Sequence, residues 1–251
     1  MHQYLDLGNG ILLPMYNLMI GIGAIFGFLI IENEIKKFKI DFKTDKQIYY
    51  SIIISGLCGI FGAKFFEVVY KQSSLSLEIF YSSGLTFYGG LIFGIISYFL
   101  MNKLFKTNNN DAFNLVVPSL ILIHAFGRIG CFFAGCCYGK QTNSILGVCY
   151  PKGSIPAKHF DDLTFLFPVQ LYEAFFLFIL FFILIKFISF EMRTAVYFIA
   201  YSTFRFSIEF LRADFRGQFL TNYISPSQTI SIFIFMLGIL LMFNIRYKVK
   251  V

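Results

Sequence analysis

Residues 220–245 run for 26 positions without a charged side chain, 11–31 for 21 and 82–100 for 19. A bilayer core about 30 Å thick takes about 20 residues of α-helix, and a helix satisfies its own backbone polar groups where no water can. Four further stretches approach this length. Residues 49–70 hold only Lys64 and Glu67, and 112–127 is uncharged up to Arg128. Residues 163–185 carry only Glu173, and 194–211 carry Arg205 and Glu209. These runs predict an all-α polytopic membrane protein of about seven transmembrane helices, a single integral membrane domain over 1–251. Only 14% of residues are charged, where soluble domains have about 25%. The first ten residues lack a basic stretch and no small-residue cleavage site follows, so the first apolar run is expected to be a retained span.

Orientation follows from the basic residues. Lys36, Lys37, Lys39, Lys43, Lys46, Lys103, Lys106, Lys186, Arg193, Arg246, Lys248 and Lys250 fall on one side of the predicted spans. Lys71, Lys140, Lys152, Lys158, Arg212 and Arg216 fall on the other. The excess predicts the N-terminus outside and the C-terminus cytoplasmic. The net charge of +7 then reflects topology and attraction to anionic lipid, and needs no nucleic-acid partner. The longest non-apolar stretch, about 140–162, lies on the outer side. It is either a small extracytoplasmic cap over a site or an ordinary loop.

Charged residues inside spans are costly and mark functional candidates. Lys64 and Glu67, three apart, can pair along a helix. Arg205 and Glu209, four apart in "FRFSIEFLRADFRG", share a face that Arg212 and Arg216 continue. Such a ladder suits an anionic head group. The alternative is snorkelling to the interface, which fits Arg212 and Arg216 better than the deeper Arg205. In "HAFGRIGCFFAGCCYGK" (124–140), Arg128 sits between Gly127 and Gly130. Glycine permits close approach, and a guanidinium donates to phosphate in a planar fork. Close helix packing with an interfacial arginine is the competing account.

"FGRIGCFFAGCCYG" resembles the signature of the prolipoprotein diacylglyceryl transferase family, commonly G-R-x-G-N-F-x-N-x-E-x-x-G. "MYNLMIGIG" (15–23), "GAKFFEV" (62–68), "GLTFYGGLIFG" (84–94), "FPVQLYEA" (167–174), "FRFSIEFLR" (204–212) and "SPSQTISI" (225–232) resemble further family segments in the family's order. The resemblance covers nearly the whole chain. It implies a bacterial cytoplasmic (inner) membrane enzyme. Such an enzyme moves the diacylglyceryl group of phosphatidylglycerol to the lipobox cysteine thiol of a prolipoprotein signal peptide, forming a thioether and releasing glycerol phosphate. Arg128 and Arg205 match motif arginines and are the candidates for stabilising the phosphate. Glu209 would hold an arginine or handle a proton. Tyr16 matches a family site tyrosine. Gly130, Cys131, Gly139, Gln170, Tyr172 and Glu173 are expected to shape the substrate pocket, interhelical hydrogen bonding being the other reading of the last three.

This chain also departs from the pattern. Tyr88 stands where the family commonly has a histidine, the obvious base. With an ordinary pKa near 10, tyrosine is a poor base, though it can hydrogen-bond a phosphate or thiol, and it joins the catalytic candidates. Cys131 replaces the usual asparagine and Cys136 the usual glutamate. His124, one turn before Arg128, either supplies the base or is a packed histidine. Of the other cysteines, Cys58 is expected to be a buried apolar residue. Cys149 could form a disulfide with Cys136 or Cys137 on the outer side. The cysteine spacing matches no standard zinc pattern, and no metal or cofactor is expected. Two other readings stay open: a lipid-handling enzyme of the same fold with another acceptor, and a non-enzymatic lipid-binding or transport protein. A transporter often shows an internal repeat, and none is visible.

Overall fold

The computed structural model describes residues 3–8, 10–39, 42–70, 87–106, 109–161, 163–213 and 224–250. After a short hairpin of β1 (Tyr4–Asp6) and β2 (Leu12–Pro14) come helices α1 (Met15–Lys37), α2 (Phe42–Tyr70), α3 (Phe87–Leu104) and α4 (Asn109–Ala134). A second two-stranded pairing, β3 (Val148–Cys149) with β4 (Phe165–Leu166), encloses the one-turn α5 (Ile155–His159). Then follow α6 (Val169–Phe187), α7 (Arg193–Ile208) and α8 (Pro226–Lys250). The protein is all-α, and among the described residues five stretches, Met15–Lys37, Lys46–Val69, Asp111–Ala134, Val169–Phe187 and Pro226–Ile245, are long and apolar enough to cross a membrane.

The other expected spans differ in detail. The 82–100 run begins outside the described residues, and its described part lies in α3, where Ile92–Leu104 forms a shorter apolar helix. The 194–211 run is the 16-residue α7 followed by a 3₁₀ turn, Glu209–Leu211. The 163–185 run becomes helical only at Val169, directly after Pro168, since proline has no N–H to continue a helix upstream but suits its start. The 112–127 run extends to Ala134, so Arg128 sits within α4 rather than at its end.

The chain divides into two compact units. In the unit spanning 34–113, α2 and α3 pack through small residues, as membrane helices do where hydrophobicity gives no preference for protein over lipid. A Cβ on Gly62 would lie 2.5 Å from the Phe93 Cβ and 2.6 Å from the Gly89 carbonyl oxygen. The pair is pinned at its other end by Ser51 donating to Asn102 Oδ1 at 3.4 Å. Lys64 and Glu67 are both half-buried on α2. Cys58, expected inside, is also only half-buried; on a lipid-facing helix an apolar thiol has no reason to be enclosed.

The other unit, 1–33 with 114–251, centres on α4, α6 and α7, where Val117, Ile121, Ala125, Leu177, Leu180 and Leu184 form the core. Asn114 fixes the α6–α7 turn: its Oδ1 accepts from Thr194 N at 3.0 Å and Thr194 Oγ1 at 2.6 Å, while its Nδ2 donates to Glu191 O at 3.2 Å. Beyond the ends of α4 and α6, a small layer is built on a hydrophobic cluster of Tyr138, Tyr150 and Leu166. Three segments cross there. Gly139 N donates to Phe167 O at 2.9 Å, Lys140 N to Leu211 O at 2.8 Å, and Ala213 N to Tyr138 O at 3.2 Å. A Cβ on Gly139 would lie 2.6 Å from Phe167 O and 2.8 Å from Leu211 O, so the crossing requires glycine.

Candidate active site

His124 and Arg128 lie one turn apart on α4, Tyr201 and Arg205 one turn apart on α7, and Glu173 in the second turn of α6. The four-residue spacings put each pair on one helix face. Helix packing then brings the faces together on Glu173, which is 1% exposed. Its Oε1 lies 3.0 Å from Arg128 Nη2, accepts from the Tyr201 hydroxyl at 2.9 Å and lies 3.6 Å from His124 Nε2. The His124 ring also meets the Tyr201 ring edge-on at 5.1 Å.

A second cluster forms where α7 ends. Arg205 Nη1 is 2.7 Å from Glu209 Oε2, and Arg205 Nη2 donates to Ser227 Oγ at 3.0 Å. Arg212 Nε lies 3.8 Å from the same Glu209 oxygen, and Ser225 Oγ donates to Glu209 Oε1 at 2.9 Å. Arg212 is buried, in keeping with the ladder and against the snorkelling alternative: the 3₁₀ turn ends at Leu211 and Arg212 pairs with Gly139. Arg216 lies outside the described residues. Arg205 also acts electrostatically on Glu173, so the clusters share one field. Together they set three guanidinium groups against two carboxylates. The excess positive charge is buried and favours an anion. Arg128 Nε and Glu173 Oε2 are buried without a hydrogen-bond partner among the described residues, which leaves a donor for a ligand.

The remaining candidates are dispersed around these clusters. Gly130 faces Tyr16 closely, a Cβ there lying 3.0 Å from the Tyr16 ring. Gln170 Nε2 donates to Cys136 O at 2.7 Å, and its Oε1 accepts from the Tyr150 hydroxyl at 3.1 Å. Tyr172 turns to the outer loop, donating to Leu146 O at 3.3 Å. Gly139 belongs to the strand crossing. Cys131 closes α4 and stands with Cys136 and Cys137, the three sulfurs within 4.8 Å of one another. None of the five cysteines is in a disulfide, and Cys149 Sγ instead donates to Leu163 O at 3.5 Å. The Tyr88 side chain lies outside the described residues.

Tyr201, Ser225 and Ser227 were not among the sequence candidates. Tyr201 had a readable signal, since it precedes Arg205 by one turn. The serines begin α8, whose polar first turn stands out on an otherwise apolar helix.

Residues 4–244 match the profile of the prolipoprotein diacylglyceryl transferase family. The phosphatidylglycerol–prolipoprotein diacylglyceryl transferase 2 of Clostridium perfringens is 33% identical over 94% of this chain and 92% of its own length. The phosphatidylglycerol–prolipoprotein diacylglyceryl transferase of Clostridium tetani is 32% identical over 92% of each chain, and that of Rickettsia bellii 30% identical over 90% of this chain and 88% of its own. A profile spanning nearly the whole chain, with relatives this similar along nearly all their length, means that the chain belongs to the prolipoprotein diacylglyceryl transferase family.

Proposed function

We propose that this protein transfers the diacylglyceryl group of phosphatidylglycerol to the lipobox cysteine thiol of a prolipoprotein. The thiolate sulfur attacks the glycerol carbon that carries the phosphate. A C–S bond forms, the C–O bond breaks, and glycerol phosphate leaves with the bonding electron pair. The largest demand on the site is the growing charge on the leaving phosphate, which preorganised donors in a dry site stabilise best. The observation that carries this reading is Arg128: its guanidinium is oriented by Glu173 at 3.0 Å, yet its buried Nε has no partner among the described residues. Arg205, held by Glu209 and Ser227, adds a second fixed cation. Tyr16, Gly130, Gln170 and Glu173 form the surround of the head group. Tyr88, at the position of the family's common histidine, hydrogen-bonds the phosphate or the thiol. Glu209, locked to Arg205 at 2.7 Å, acts as an arginine holder.

The protein resides in a bacterial cytoplasmic membrane as a single integral membrane domain of seven spans. Its N-terminus faces outward and its C-terminus the cytoplasm, an orientation supported by the excess of lysine and arginine on the predicted inner side. The layer at about 140–162 is then an extracytoplasmic cap on the side where prolipoproteins emerge.

The test is direct. Purified protein in detergent is mixed with phosphatidylglycerol and a peptide bearing one lipobox cysteine, and mass spectrometry looks for a diacylglyceryl adduct on sulfur. The adduct is expected with the native chain and absent with Arg128→Ala. Cys131 and Cys136, in place of the family's common asparagine and glutamate, favour a second reading: the same lipid chemistry with a different acceptor. Retained lipid binding without an adduct would select it.

A further inference from the structure

Cys131, Cys136 and Cys137 are separated by a turn that draws their side chains together. Cys131 is in the last helical turn of α4, Gly135 then takes φ +68° and Cys137 φ +63°. Left-handed backbone is natural for glycine and uncommon for a residue with a side chain. The result is three sulfurs within 4.8 Å of one another. A metal with M–S bonds of about 2.3 Å in tetrahedral geometry holds its sulfurs roughly 3.8 Å apart, so side-chain rotations of an ångström or less would complete the set. The backbone around it is buttressed: Gln170 donates to Cys136 O at 2.7 Å and is itself held by Tyr150 at 3.1 Å. Supports of this kind fix ligand orientation at metal centres.

We propose that Cys131, Cys136 and Cys137 form a trithiolate site for a thiophilic cation of the zinc class. Thiolates select soft or borderline ions, and the local sequence Cys-x₄-Cys-Cys lies outside standard zinc spacings because the turn, not the spacing, makes the triad. Binding a divalent ion converts three thiols to thiolates, releases three protons and leaves the complex with one negative charge. Cys136 and Cys137 also line a cavity of about 530 Å³, which leaves room for water as a fourth ligand. The ion would clamp the end of α4 to the turn beneath the outer layer. The inference is independent of the transferase reading.

The test uses the full chain in detergent, stripped with chelator under reductant and titrated with cobalt(II), then zinc(II). A sulfur-to-cobalt charge-transfer band saturating at one ion per chain and displaced by zinc with a Kd below about 1 μM is expected. Cys137→Ser and Cys131→Ser should each weaken binding at least about tenfold, while Cys58→Ser and Cys149→Ser should leave it intact. Zinc should also protect Cys131, Cys136 and Cys137 of the native chain from alkylation, read by mass spectrometry, while Cys58 and Cys149 label as before; this needs no variant to fold. Absence of the band, affinity unchanged in both triad variants, or a disulfide within the triad in protein isolated without reductant would overturn the proposal.

Discussion

Arg128 on α4 and Glu173 on α6 meet at 3.0 Å, with Glu173 only 1% exposed. The pair joins the two helices on which the signature arginine and the Pro-x-Gln-Leu-Tyr-Glu segment lie. Removing one partner strands the other in a dry setting, which costs about 3 kcal/mol or more. Arg128→Ala should therefore lower both adduct formation, by at least about 100-fold, and the thermal midpoint. Adding Glu173→Gln should restore much of the midpoint and none of the activity. Recovery of activity in the double variant would remove Arg128 from the chemistry.

Arg205 serves Glu209 with one nitrogen at 2.7 Å and Ser227 with the other at 3.0 Å. Lysine cannot reproduce that fork. Arg205→Lys should retain fold but lose activity by more than about tenfold, whereas Ser227→Ala, removing its hydrogen bond to Arg205, worth about 1 kcal/mol, should lose about fivefold. Equal losses in steady-state assays would show that Arg205 does not act through its planar geometry.

His124 points Nε2 at Glu173 from 3.6 Å and packs its ring on Tyr201. That is the setting of a packed histidine. His124→Asn is expected to keep activity within about tenfold, less than the loss expected for a general base. A larger loss with an altered pH–rate profile would instead make His124 the proton acceptor.

Tyr150, outside the spanning helices, has its pKa pushed up to about 12, chiefly by burial. The folded state thus holds this proton more tightly than the unfolded chain, where tyrosine titrates near 10. The associated stability is intact below pH ~10 and is lost as pH rises toward ~12. Melting curves should fall across that window, and Tyr150→Phe should reduce the slope. An unchanged slope would mean that Tyr150 ionises freely in the fold.

Much of this arrangement was legible in the sequence where helical periodicity alone decides contacts. The four-residue step from Arg205 to Glu209 became an ion pair because α7 and its 3₁₀ extension keep both on one side. Arg128 with Glu173 was not readable as a pair: each residue is conspicuous in an apolar run, but only the packing of α4 against α6 brings them together. Arg212, which the sequence leaves between a ladder with Glu209 and snorkelling, is buried because the helix ends at Leu211 and the next residue is recruited into a strand-like pairing with Gly139. The cysteine triad was equally hidden, since it depends on left-handed backbone at Gly135 and Cys137. The disulfide open to Cys149 with Cys136 or Cys137 is not formed, and the Cys149 thiol lies against Leu163 O at 3.5 Å instead.

The crossing at Gly139 ties together two parts of the molecule with different clients. Residues 138–140 lead from the signature helix into the outer layer, while the 211–213 segment carries Arg212 to Glu209. Hydrogen bonds on both sides of Gly139 make these segments one mechanical piece. A displacement of 138–140 would have to draw the Arg212 backbone with it, and so would reach the Arg212–Glu209 contact.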